Sequence, residues 1–366
     1  MTALESLSRL AVVFDGTDDA AHTHSALAAH DPTAGRVTLH PGPGTTSDTA
    51  LAHDLLAALG KPPQLLGRFP AGRQPVWEAA TAWVHALPVT RLTVLRAHRL
   101  TDRRLRALLQ LWDNTGIHLT LVVHRPRLTA ALHRSLASVP HTRATTLAEA
   151  NALYFDGPPP KAGAAPRTAA VPLPAPARWI NLPSLDRLVS YDSPGPCLGP
   201  CTPAPIDWRH RPAPEPLTCA QAAEAARRIH AATAHPQLAA ALASTLFTGA
   251  SFQQLATARS DDFHDAPALL ALHDRTRFTD GCATHPVPLW AEAFLRAATR
   301  YAHLTGTTHM LAGPGDRPAV LRLAEKARLR PPQPPAAMRT GKRGSVVWDW
   351  REAREAHGYG PAPATR

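Results

Sequence analysis

Along the first 155 residues, short apolar runs alternate with stretches whose apolar positions recur every three to four residues. Fully buried strands joined by amphipathic helices give that pattern. "RLAVVFDG", "GRVTLHPGPG", "RLTVL" and "GIHLTLVVH" predict strands, the first ending at Asp15 and Gly16. Between them "LAHDLLAALG", closed by Gly60, and "VWEAATAWVHAL" predict helices. A further helix over 102–113, with Thr101 as its N-cap, places Leu105, Leu108, Leu109 and Trp112 on one face. The same spacing turns Arg103, Arg104 and Arg106 toward solvent.

The pattern then breaks. From "DGPPPKAGAAPRTAAVPLPAPARW" to "PAPIDWRHRPAPEP" the chain is rich in proline and aperiodic, so 156–216 is expected to be a mostly extended linker. Its centre, "WINLPSLDRLVSYD", carries enough apolar residues to dock on a neighbour. Beyond Pro216, "LTCAQAAEAARRIHAATAHPQLAAALASTLFTG" is strongly helical, with Thr218 as a cap, and opens a mainly α domain over 217–330. Residues 331–366 form a basic tail broken by prolines, with "VVWDWREAREAH" its one helical stretch. No internal repeat is present.

Composition adds a partner class. Proline (38) and glycine (21) make up about a sixth of the 366 residues, above the roughly 12% expected of an average chain. Only four of the 39 basic residues are lysine, so an arginine, alanine and proline bias runs through the whole sequence and single residues of those types weigh less. The net charge of +11 favours a polyanionic partner. It is concentrated: residues 91–145 carry ten arginines against Asp102 and Asp113, and residues 315–366 carry eleven basic residues against five acids. No apolar run reaches membrane-spanning length, "MTALESLSRLAVVF" lacks the make-up of a signal peptide, and four cysteines are too few for a disulfide framework. A cytoplasmic protein with no membrane contact is expected.

Two stretches carry a resemblance. "GTDDAAHT" follows a strand and has the spacing of a phosphate loop, with Gly16 and Thr23 in place but Ala21 where the second glycine belongs and His22 where the lysine belongs. An ordinary strand-to-helix turn accounts for the same residues. Taken with the order of elements over 8–145 and with "RLTVLRAHRL" and "GIHLTLVVH", it resembles the AAA+ transposition-regulator ATPases of mobile elements. That resemblance implies an α/β, P-loop-like parallel-sheet domain over 1–155. It also places Arg96 and Ala97 where the family has the Asp-Glu pair that holds magnesium and activates water. With those carboxylates and the lysine absent, and with Asp18 and Asp19 facing the phosphate position, it implies no hydrolysis and no nucleotide cofactor.

"HPQLAAALASTLFTGASFQQLATARSDDF", followed by "ALLALHDRTRFTDGCATHPVPLWAEAFLRAA", resembles the catalytic domain of tyrosine recombinases, the phage-type integrases. Thr248, Gly249, Leu255, Arg259 and Asp262 align. Gln254 stands in the place of a glutamate and Ser251 in the place of the first catalytic arginine. The resemblance implies a hairpin on which Arg275 or Arg277 could stand for the family's lysine, then a helix. Serine cannot offer a bidentate fork to phosphate, and Tyr359, among Gly and Pro, does not sit on a nucleophile helix. No catalytic residue is therefore assigned. A helical domain that merely shares this period is the alternative.

Cys197, Cys201, His210 and Cys219 could supply four zinc ligands, but "CLGPC" is not C-x-x-C and free thiols are the simpler account, so no metal is assigned. These features together predict a catalytically inactive protein derived from a mobile element. It would bind DNA through Arg103, Arg104 and Arg106, and a recombinase or transposase is a possible partner. An atypical ATPase or recombinase that still turns over, and an interaction scaffold without DNA, are the rivals. The oligomeric state is left open.

Overall fold

The computed structural model describes residues 9–155 apart from 44, 66–68, 70, 71 and 73, then 182, 185, 217–273 and 282–329. Its N-terminal part is built on five parallel strands, β1 (Leu10–Phe14), β2 (Arg36–Leu39), β3 (Arg91–Val94), β4 (His118–Val123) and β5 (Thr142–Ala144). Their spatial order is β2-β3-β4-β1-β5. Helices α1 (Ala20–Ala28) and α6 (Leu147–Tyr154) cover one face, where Val13, Leu95 and Val122 meet Ala26, Ala150 and Tyr154. Helices α2 (Asp48–Ala58), α3 (Val76–Ala86), α4 (Asp102–Thr115) and α5 (Ala130–Leu136) cover the other, over Leu10, Val12, Leu39, Leu119 and Leu121. Burial on both faces is why these strands read as nearly unbroken apolar runs. The four strands and three helices expected before residue 124 are present; β5 and α6 are elements that the periodicity did not single out.

Local chemistry sets the helix ends. Ser47 caps α2 by accepting from the Ala50 N–H at 3.0 Å, and Thr146 and Glu149 close a reciprocal capping box on α6. Thr101 occupies the N-cap position of α4 with an extended backbone, but its hydroxyl makes no capping bond; Asp102 supplies negative charge to that first turn instead. Gly116 ends α4 at φ +71°, in the left-handed region that glycine enters without a steric penalty.

The second part is mainly helical: α7 (Cys219–Ala232), α8 (Pro236–Thr248), the single turn α9 (Phe252–Leu255), α10 (Leu289–Thr305) and α11 (Arg317–Lys326). A small antiparallel sheet, β6 (Phe263–Asp265), β7 (Ala268–Leu272) and β8 (Ala283–Pro286), precedes α10. Thr218 caps α7 in a box with Gln221, as its position before the apolar run predicts. α8 is buried on all sides, a consequence of being apolar around its whole circumference.

The two parts share one continuous core. α10 packs on both α8 and α3, and α3 buries Val76, Ala79, Ala80, Trp83 and Val84 between the sheet and the helical region. The Trp83 indole N–H donates to the Ala234 carbonyl at 2.8 Å, and His230 Nε2 lies 3.0 Å from the Leu59 carbonyl. Leu182 and Leu185, from the centre of the Pro-rich segment, are buried in the same core. Everything else in 156–216, residues 274–281 with Arg275 and Arg277, and residues 330–366 with Tyr359 lie outside the described residues. Among those described, no helix is long and apolar enough to cross a membrane.

Candidate functional site

The strand order fixes where a parallel sheet can hold a ligand. β1 leads into α1 on one face, whereas its neighbour β4 leads into α5 on the opposite face. The loops leaving these adjacent strands therefore head for opposite faces from the carboxyl edge, at the kind of switch point where α/β sheets bind ligands in a crevice. Asp15 follows β1, and His124 follows β4. Arg96, at φ 56°, follows β3 by one further residue.

These side chains converge. His124 Nδ1 lies 2.7 Å from Asp15 Oδ2 and 3.2 Å from Asp18 Oδ1. The other oxygen of each carboxylate is already held: Asp15 Oδ1 accepts from the Asp19 N–H at 2.8 Å, and Asp18 Oδ2 accepts from Arg96 Nη1 at 2.7 Å. Asp19 in turn caps α1 by accepting from the Ala21 N–H at 2.9 Å. The Arg96 guanidinium beside Asp18 holds that carboxyl below the usual carboxylate range. His98 and His40, on the same edge, are driven toward the neutral form by burial first and then by neighbouring arginines, Arg125 for His98 and Arg96 for His40.

The arrangement bears directly on the phosphate-loop positions. A phosphate loop presents free N–H groups and a lysine to an incoming anion. Here the chain's own carboxylates accept from the Asp19 and Ala21 N–H groups, and the nearest guanidinium is paired. Gly16 is not sterically required, because a Cβ built on it would meet Pro126 at an ordinary 3.6 Å. Ala21 and Thr23 lie on the first turn of α1, and His22 is buried there with its Nδ1 unpartnered. Ala97 is fully buried beneath the crevice edge. No protein-family model, curated protein or solved structure matches this chain. Its chemistry therefore rests on these residues.

The recombinase-like positions form a turn. Gly249 ends α8 at φ +60°, and Thr248 donates its hydroxyl to the Ser244 carbonyl at 2.7 Å. Ser251, fully buried, caps α9 by accepting from the Gln254 N–H at 3.4 Å. Buried Asp262 accepts from the Arg259 N–H at 2.7 Å and lies 3.5 Å from His273 Nε2. Arg259 itself is exposed and, with His303 and His309, lines a polar hollow of about 580 Å³. Of the zinc candidates, Cys219 is exposed at the start of α7, and Cys197, Cys201 and His210 lie outside the described residues.

One expectation fails on α4. Arg104 is not on a solvated face: it is 8% exposed and donates to the Thr45 carbonyl at 2.7 Å and the Thr46 carbonyl at 3.2 Å. Those carbonyls belong to the loop before α2, and the guanidinium reaches them from α4. Arg103 is exposed but paired with Asp48. Arg106 is exposed and unpaired. What sequence reading missed is the meeting of Asp15, Asp18 and His124, the last more than a hundred positions away from the others. The available signal was an acid closing one buried strand and a histidine closing another.

Proposed function

We propose that this chain is a non-hydrolytic protein of mobile-element descent that binds duplex DNA and accompanies recombination or transposition without performing it. The observation that carries this reading is the charge arrangement at the carboxyl edge of the sheet. The crevice itself is neutralised from within, whereas Arg99, Arg106, Arg125 and Arg127 are exposed and make no ion pair or hydrogen bond. Unpaired arginines on one edge suit a phosphate backbone, which needs positive charge at the surface and no enclosed pocket. The strand–helix order of 8–145 and the turn, hairpin and helix after α8 support descent from a regulator ATPase and a recombinase. The loss of catalysis is supported by Ser251, an internal helix cap that presents no charge to a phosphate.

The test is binding to a duplex across a salt series. Log K should fall with log[salt], and replacing Arg99, Arg125 and Arg127 with alanine should flatten the slope by about 2.7, at about 0.9 per lost phosphate contact. Arg104→Ala is not part of that set. A wild-type protein that ignores duplex DNA at low salt, or a triple variant that keeps the full slope, would leave the scaffold reading in its place.

A further inference from the structure

We infer that Asp15, Asp18 and His124 form a binding site for one divalent transition-metal ion of the zinc and manganese class, bridging the loops after β1 and β4. Their three ligand atoms all lie within 4.8 Å of one another. In a tetrahedral centre with bonds of about 2.0–2.1 Å, neighbouring ligands stand about 3.3–3.4 Å apart. The separation of 3.2 Å from His124 Nδ1 to Asp18 is already close to that spacing, while the 2.7 Å separation to Asp15 needs to open by about 0.6–0.7 Å.

The surroundings of the two carboxylates match what a metal centre requires of its supports. Ligating carboxylates are held by hydrogen bonds through their second oxygen, and here the Asp19 N–H holds Asp15 and Arg96 holds Asp18. Each carboxylate thus has one anchored oxygen and one turned toward the same imidazole nitrogen. The Asp15 and His124 side chains are 2% and 0% exposed, while Asp18, at 48%, leaves the site open to solvent on one side. A second observation points the same way. Tyr154 packs in the same apolar cluster as Val13, two residues before Asp15, and its hydroxyl is buried with no hydrogen-bond partner. A buried hydroxyl without a partner is what a ligand or its water would satisfy. One imidazole nitrogen with two carboxylates is a borderline donor set that suits zinc or manganese, whereas magnesium and calcium prefer oxygen alone.

The full chain, stripped with chelator, is titrated with zinc, manganese, magnesium and calcium chlorides by calorimetry and thermal unfolding. Cobalt absorption reports coordination geometry. One equivalent of zinc or manganese should bind at micromolar affinity or tighter, and Asp18→Asn, at a half-exposed position, should weaken it at least tenfold. His124→Gln should do the same where circular dichroism shows it folded. The double variant Cys197→Ser/Cys201→Ser should bind as wild type. Absence of saturable binding, affinity only in the millimolar range, or binding that survives Asp18→Asn and is lost in the cysteine variant would each overturn the site.

Discussion

Lys61 offers a quantitative test of how the two halves are joined. Its Nζ is buried with no hydrogen-bond partner, 3.2 Å from the centre of the Trp83 ring and 5.6 Å from that of Phe294. Two effects oppose each other there. A desolvated cation over an aromatic face gains about 2 kcal/mol. Taking an ammonium out of water without a counter-ion costs several kcal/mol even after relaxation. Desolvation wins, and burial pushes the amine well below the ordinary lysine range. The unfolded chain, with a lysine near about 10.4, then holds a proton that the folded chain lacks, so stability should rise with pH by about 1.36 kcal/mol per unit wherever Lys61 is neutral in the fold.

Lys61→Met keeps the shape and removes the proton. The variant should be the more stable at pH 7, by no more than the roughly 4.6 kcal/mol that deprotonating an ordinary lysine costs there. Its advantage should shrink by up to about 2.7 kcal/mol between pH 7 and pH 9. Urea unfolding of both proteins at pH 7, 8 and 9 measures the difference, in which every other titrating group cancels. Two parallel stability profiles would show that Lys61 stays charged on the aromatic face, and the reasoning from desolvation would be wrong.

Other outcomes follow from the same contacts. His230 is held at about 3 by burial and then by Lys61, and His235 at about 4 by burial alone. Both are depressed, so the stability they contribute is present above about pH 6.5 and lost as pH falls; between pH 7 and pH 5 the two together should remove about 4 kcal/mol, and His235→Phe should shrink the loss seen by urea unfolding by about 2 kcal/mol. Arg104→Ala should cost about 2–3 kcal/mol through its two bonds to carbonyls, while Arg106→Ala should stay within about 0.5 kcal/mol, a contrast that thermal unfolding resolves. Arg106→Ala should nevertheless lower the salt slope of DNA binding by about 0.9, whereas a stability loss equal to that of Arg104→Ala would show that its exposed face is misplaced.

Sequence and structure part company at identifiable places. Strands β1, β3 and β4 were legible because burial on both faces writes itself as unbroken runs of Leu and Val, and α4 because Leu105 and Leu108 recur at helical spacing. β5 was not, since "TRA" pairs at the sheet edge with only Ala144 buried and leaves no run to see. Arg104 was misread for a different reason. Helical period sets it four and seven residues before the buried Leu108 and Leu111, so the apolar stripe was drawn too narrowly, and period says nothing of the loop carbonyls at Thr45 and Thr46 to which it donates. The crevice lay furthest beyond reach. That Asp18 meets His124 follows from β1 and β4 being neighbours, a pairing that no local pattern encodes. The acids of this edge stand after β1, where they occupy the N–H groups that a phosphate would need. An anion site and a cation site cannot share those groups. With Asp15 and Asp19 accepting from those N–H groups and no lysine in the turn, this edge disfavours a nucleotide phosphate and suits a positively charged occupant.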